Sequence, residues 1–260
     1  IVRHVQKYTL PQPYAVSRIH PRVIPDSQAI FQMNYSNWMT DPNPEPTILI
    51  GKKYLVKCDI STCFPSIYTH SLPWAIMGRD NAKQNRSSRR GGWANEIDGL
   101  LQKACDGETH GLLIGPHASN VVSELILTVI DASLFNKGYR FIRNIDDYNC
   151  YVASRYEAEQ FIISLQEELS KFRLTLNQKK NEILELPIAL SNGWVNSLRR
   201  NEPNKSDPLD YKDVSSFLEY ATSLLPSYQN NASILLYAFK MLASRSLKPS
   251  AKAYFRDYAM

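Results

Sequence analysis

Two adjacent acids, Asp146 and Asp147, sit in the middle of a hairpin-like pattern, between the apolar runs 139–142 and 150–153. Charged side chains pack poorly among strand neighbours, and two of like sign repel each other. The cost is tolerable if a bound cation neutralises both carboxylates; the bland alternative is a pair of acids in an exposed turn. Upstream, Tyr54-Leu55-Val56-Lys57-Cys58-Asp59-Ile60 is a second apolar strand that ends in a lone acid. Three carboxylates at the ends of neighbouring strands could hold two magnesium ions for phosphoryl transfer.

Length and composition agree with a soluble enzyme. A chain of 260 residues with 43% hydrophobic content can bury one large core or two moderate ones. No uninterrupted apolar run reaches the roughly 18 residues that a membrane span needs, and no signal-peptide pattern opens the chain. A cytoplasmic protein without membrane contact is expected. Cys58, Cys63, Cys105 and Cys150 lie in or beside apolar blocks without CxxC spacing and read as reduced core residues, not as a disulfide framework or zinc site. The net charge of +5 mildly favours polyanions. Walker-type and Rossmann glycine patterns are absent, which argues against a nucleotide-hydrolysing motor or a dehydrogenase. The chain opens on Ile1 and closes in an amphipathic stretch, so it is expected to be a piece of a longer protein.

Residues 1–50 carry seven of the fifteen prolines and the basic residues Arg3, Lys7, Arg18 and Arg22. Residues 34–46 are turn-rich. Residues 78–92 hold five cations and three glycines, which suits a mobile loop that follows phosphates or a solvated surface. Helical spacing of Val121, Val122, Leu125, Ile126, Val129, Ile130 and Leu134 predicts a helix over 120–134 with one buried face. Ser154-Arg155-Tyr156-Glu157 reads as a capping box that opens a helix with Phe161, Leu165, Leu169 and Phe172 inside. Residues 187–213, rich in Pro, Asn and Ser, read as a linker, and 214–225 and 234–242 as two helices beyond it.

Four blocks, in order, resemble motifs A to D of a reverse-transcriptase palm. Residues 56–68 (VKCDISTCFPSIY) resemble motif A and residues 111–120 (GLLIGPHASN) motif B. Residues 141–148 (FIRNIDDY) resemble motif C and 174–181 (LTLNQKKN) motif D. Tyr68-Thr69-His70-Ser71-Leu72-Pro73-Trp74-Ala75 and Ile114-Gly115-Pro116 are most similar to the abortive-infection and antiphage-defence reverse transcriptases of bacteria.

The resemblance implies an α+β fold: fingers and palm, with an antiparallel sheet backed by helices, then an α-helical C-terminal region. Residues 1–50 would be a fingers-like segment, with a solvated arm as the alternative. Residues 51–190 would be the palm, with a fingers insertion at about 71–110. Residues 191–260 would be the linker and the start of a thumb-like or larger helical domain. Asp59, Asp146, Asp147 and the carbonyl of Ile60 would hold two Mg2+ ions, for which Mn2+ can substitute. One ion would activate an attacking hydroxyl and the other would neutralise the triphosphate. Phe64, five residues after Asp59, would clash with a 2′-hydroxyl and select deoxynucleotides; a core Phe is its alternative role. Gly115 would let the backbone approach the nucleotide. Lys180 would neutralise or protonate the departing pyrophosphate, with Lys179 as its rival and a surface lysine as the bland reading.

The implied activity is a metal-dependent DNA polymerase that uses deoxynucleoside triphosphates and makes DNA on a nucleic-acid or protein hydroxyl primer. Fifteen tyrosines offer priming hydroxyls. A noncoding RNA, self-association and other defence proteins are the implied partners. Two departures bear on templating: Asn144 stands where motif C usually has an aromatic residue, and Ile114 where templated relatives often have Gln. His117 and Asn120 replace residues whose side chains usually face the same cleft, and His110 and His117 read as polar wall residues, with a His-mediated reaction as the alternative. These replacements point to synthesis without an ordinary template. The alternatives are a conventional RNA-templated enzyme of a retron or mobile intron, and a non-enzymatic RNA-binding scaffold on a retired palm.

Overall fold

The computed structural model describes residues 16–22, 31–33, 44–85, 92–187, 193–204 and 207–259. The chain divides into two compact units, 1–187 and 188–260.

The first unit runs β1 (Pro21–Arg22), β2 (Gln32–Met33), α1 (Glu45–Ile48), β3 (Tyr54–Asp59), α2 (Cys63–Ser66), α3 (Ser71–Met77), α4 (Arg79–Gln84) and α5 (Gly92–Ala104). It continues with α6 (His117–Asn136), β4 (Phe141–Asn144), β5 (Asp147–Val152), α7 (Arg155–Lys171), a 3-10 turn (Gln178–Lys180) and β6 (Glu182–Glu185). Four strands form one antiparallel sheet in the order β4-β5-β3-β6. The first strand of this sheet in the chain, β3, thus lies between β5 and β6, where Leu55, Val56 and Cys58 are buried.

Helix α6 extends the expected helix by three residues at its start and two at its end. Apolar residues dominate its buried surface, and Ile126, Leu127, Ile130 and Leu134 have no exposed surface. That is the signature of a core helix. It is also long and apolar enough to cross a membrane by length and composition, although most of it is buried inside this unit. Gly138, at φ +95, ends it with Tyr139 N–H returning to the Leu134 carbonyl at 3.3 Å.

Helix α7 opens as its sequence dictates. Ser154 Oγ accepts the N–H of Glu157 at 3.2 Å. The Glu157 carboxylate accepts the N–H of Ala153, one residue before the expected partner of a capping box, at 2.9 Å. Phe161, Leu165 and Leu169 recur at helical spacing and are fully buried, each contributing roughly 1.5–3 kcal/mol of apolar burial. This helix packs on β3, β5 and α6, which closes the core behind the sheet.

Two expectations need correction. Residues 79–84 form helix α4, not a loop; residues 86–91 lie outside the described residues. Residues 187–213 are not only a linker, because Gly193–Arg200 is helical, with Trp194 and Leu198 four residues apart and buried. With the partly buried Val195 they pack this short helix on the second core. The N-terminal positions Arg3 and Lys7, and most of 34–46, also lie outside the described residues.

The named elements of the second unit, among its described residues, are helices: α8 (Gly193–Arg200), α9 (Tyr211–Leu224), α10 (Ser233–Ala243) and α11 (Pro249–Ala259), with a 3-10 turn at Leu225–Tyr228. Its core is built from Trp194, Leu198, Phe217, Leu218, Ile234 and Leu242. The molecule is therefore α+β, an antiparallel sheet backed by helices and followed by an α-helical region.

Candidate active site

Strands β4 and β5 are joined through Ile145 and Asp146, and the register of β3 on β5 sets Asp59 directly opposite Asp147. Like charges in facing positions destabilise a sheet. Asp146 sits at the same end, and its carbonyl accepts the N–H of Ile60 at 3.3 Å. Motif A and motif C are thus stitched together at the acids.

The electrostatics record the crowding. Burial, the neighbouring Asp146 and a hydrogen bond with Asp59 push the Asp147 carboxyl up to about 6. Burial also raises Asp146, with the charge of Asp59 adding to it and Lys180 and Arg143 opposing it. Asp59 is the best compensated of the three. Lys180 Nζ donates to its Oδ1 at 3.2 Å and Asn177 Nδ2 to its Oδ2 at 3.1 Å. The N–H of Asn177 also reaches the Asp59 carbonyl at 2.8 Å. In return, the hydrogen bond from Lys180 Nζ to Asp59 and the charge of that carboxylate raise the Lys180 ammonium above its ordinary value.

What fixes the hairpin is a buried arginine. Arg143 has no exposed surface, yet it stands on β4 beside the turn. Its Nε and Nη2 donate to Asp131 at 2.7–3.1 Å, and Nη1 and Nη2 to Glu124 at 3.0 and 3.1 Å. Both acids lie on α6, seven residues apart and so on one face. Tyr148 donates its hydroxyl to Asp131 at 3.1 Å. A lone buried charge would be costly, but here one guanidinium answers two carboxylates with its donors satisfied. Burial pushes the Asp131 carboxyl up and the charge of Arg143 opposes that shift.

A cleft of about 420 Å3 opens at the acids, lined by Asp59, Asp147, Asn144, Lys179 and Lys180 among others. The structure therefore brings together Asp59, Asp146, Asp147, Asn144 and Lys180. Ile60 is buried beside them. Phe64 is half-buried in α2, where its carbonyl accepts the N–H of Leu112 at 2.9 Å and so ties motif A to motif B. Ile114 is 77% exposed, and neither it, Gly115 nor Phe64 lines the cleft. Gly115 has φ +113, a conformation that favours glycine. His110 packs against Tyr68 with ring centres 4.8 Å apart, and exposed His117 begins α6.

Among the described residues, no three His, Cys, Asp or Glu side chains form a ready-made metal cage. The donors are nonetheless hard carboxylate oxygens, gathered from three acids at one end of the sheet. That chemistry fits Mg2+ or Mn2+. Magnesium is commonly held by one or two carboxylates together with substrate phosphates and water, not by an all-protein cage.

Several residues of this site escape a motif reading. Asn177 bonds Asp59 twice, and Glu124, Asp131, Arg143 and Tyr148 build the support. The available signal was an arginine in an apolar strand together with two acids on one face of an apolar helix, since a buried charge demands a partner.

No protein-family model and no curated protein matches the chain. Solved structures do match. Apo telomerase from Candida tropicalis aligns with a TM-score of 0.51 at 11% identity, over 94% of this chain and 48% of that one. Telomerase from Candida albicans in complex with a TWJ fragment of telomeric RNA aligns at 0.42 and 11% identity, over 93% of this chain and 50% of that one. The Candida tropicalis apo enzyme truncated from its C-terminal domain aligns at 0.40 and 15% identity, over 54% of this chain and 32% of that one. The chain thus spans about a third to a half of the length of these neighbours. The likeness to the apo enzyme is one of fold: this chain has a reverse-transcriptase-like fold such as telomerase has.

Proposed function

We propose that this protein is a metal-dependent DNA polymerase of the reverse-transcriptase family, acting in a bacterial antiphage-defence system. The observation that carries the reading is the facing of Asp59 and Asp147 across β3 and β5, with Asp146 in the adjoining turn and Lys180 on Asp59. Asp59, Asp146, Asp147 and the Ile60 carbonyl are the proposed ligands of two Mg2+ ions, which Mn2+ can replace. When bound, the ions supply Lewis acidity at the attacking hydroxyl and charge neutralisation at the triphosphate.

The side chains do the rest. Asn177 and Lys180 orient Asp59, and Lys180 gives a proton or a charge to the departing pyrophosphate. Phe64 excludes the 2′-hydroxyl, and the Gly115 backbone and Asn144 border the nucleotide. The fingers and thumb assignments of 1–50, 71–110 and 191–260 belong to the same proposal. The defence role rests on the motif resemblance at 68–75 and 114–116. So do a noncoding RNA, self-association or other defence proteins as partners, a protein or nucleic-acid primer, and a cytoplasmic setting.

Ile114 and Asn144 favour synthesis without an ordinary template, because neither supplies the usual side chain beside template and primer. The experiment is to incubate nuclease-treated full-length protein with magnesium and deoxynucleotides and to sequence the product. A low-complexity product made without added nucleic acid supports this form of the reading. A long, faithful copy of added heteropolymeric RNA, with nothing made in its absence, decides for a conventional templated enzyme.

A further inference from the structure

A second concavity, about 550 Å3 in volume, is bounded by α3, α4, α5 and Arg173 at the end of α7, and it shares no lining residue with the cleft of the acids. Its aromatic wall is Tyr68 and Trp74, with ring centres 5.4 Å apart. The guanidinium carbon of Arg173 lies 4.2 Å from the Tyr68 ring centre and 5.8 Å from that of Trp74. Arg79 lies 4.7 Å from the same indole. Two guanidinium groups therefore gather around one tryptophan, and Lys83 adds a third permanent cation to the lining.

The counter-charge is already engaged. Asp98 is the single carboxylate among the described lining residues, and it is buried and bonded to His70 Nδ1 and, at 2.8 Å, to Gln102 Nε2. Among the described residues, no carboxylate pairs with Arg79, Lys83 or Arg173. Arg79 and Lys83 are exposed and lie one helical turn apart on α4, so they share a face.

The backbone adds an independent observation. Arg173 has φ +64, the left-handed position just past α7, where Leu174 N–H returns to the Leu169 carbonyl at 3.0 Å. Glycine is favoured at this helix-ending position, and a residue with a Cβ is strained there. The chain keeps an arginine instead, and its guanidinium is the one stacked on Tyr68. Strain retained under a side chain that points into a pocket is a mark of use.

Guanidinium groups stacked on rings leave their N–H edges free, and those edges match phosphate oxygens in pairs. The volume falls within the range of small-molecule sites. We propose that this pocket binds a nucleotide phosphate, with Arg173 and Arg79 as its ligands and Lys83 as supporting charge. The phosphate comes from a free nucleotide or from a nucleic-acid strand. The site gives the block 68–75 a role, since Tyr68, His70 and Trp74 line it. It stands whether or not the three acids catalyse nucleotide addition.

The test uses the full-length protein in EDTA, so that metal-dependent binding at the acids does not contribute. Binding of radiolabelled deoxyadenosine monophosphate is measured by equilibrium dialysis, and binding of a fluorescent single-stranded oligothymidylate by anisotropy. Arg173→Gly relieves the left-handed strain, so it leaves the fold intact, and Arg79→Gln changes an exposed side chain. Each variant is expected to weaken at least one probe tenfold or more. Loss for the mononucleotide identifies a free nucleotide as the source, and loss for the oligonucleotide alone identifies a strand. The proposal is overturned if the parent binds neither probe, or if Arg173→Gly binds both within threefold of the parent.

Discussion

Arg143 donates from Nη1 to the carbonyl of Ile145 at 2.7 Å, and Ile145 holds φ +60 in the turn that presents Asp146. A β-branched residue in the left-handed region is strained by roughly 1–2 kcal/mol. The arginine that restrains this turn is itself clamped by Glu124 and Asp131 on α6. The main core helix therefore braces the turn of the acids through this side chain, with the Tyr148 hydroxyl on Asp131 as a second tie.

Arg143→Met should accordingly destabilise the protein by about 3–5 kcal/mol, because it strands two buried carboxylates. Adding Glu124→Gln and Asp131→Asn should recover part of that loss by removing the stranded charge. Urea unfolding of the two variants checks this. Equal stability of Arg143→Met and the parent would contradict the clamp.

Lys180 and Lys179 both line the cleft, but Lys180 is the one bonded to Asp59. Lys180→Ala should slow nucleotide addition by roughly 10²-fold, the scale of a lost proton donor, with little change in Tm because the side chain is largely exposed. Lys179→Ala should have a smaller effect. Single-turnover kinetics on both variants test the assignment, which a larger loss for Lys179→Ala would reverse.

Sugar choice should respond to Phe64. Phe64→Ala is expected to reduce the preference for deoxynucleotides over ribonucleotides at least tenfold, as loss of a steric wall does. Competition between paired nucleotides gives the ratio. An unchanged ratio would leave the ring with only the packing role that its half-buried position in α2 gives it.

The cysteines test the core. Burial pushes the Cys58 and Cys63 thiols up to about 12, and that of Cys150 higher. Cys105 is half-buried, with its thiol 3.6 Å from the Gly111 carbonyl. Iodoacetamide at pH 8 should therefore label Cys105 first in the native protein and all four in urea, as mass spectrometry would read out. Rapid native labelling of Cys58 would contradict the burial of β3.

Strand β3, the acidic hairpin and the helices α6 and α7 were legible because short-range pattern decides them: alternation, helical spacing, and Ser154 at a cap. The reverse-transcriptase-like arrangement was legible from the order of four blocks. Helix α8 was not, since Trp194 and Leu198 are isolated in a polar stretch and show their purpose only once a partner surface exists. Strand β6, with its residues only half-buried or exposed, carries little alternation to read. Arg143 and Asn177 were hidden for a different reason. Their partners lie 12 to 19 and 118 residues away in the chain, and only the fold brings them together.

The most direct test of the central claim is deoxynucleotide incorporation by the full-length protein carrying Asp146→Asn and Asp147→Asn. Removing two carboxylates that burial and neighbouring acids hold above their ordinary range should leave Tm at or above that of the parent. The account predicts that this folded variant incorporates no labelled deoxynucleotide above background with magnesium present, while the parent does so and loses the activity in EDTA. Incorporation by the folded double variant at the rate of the parent would contradict it.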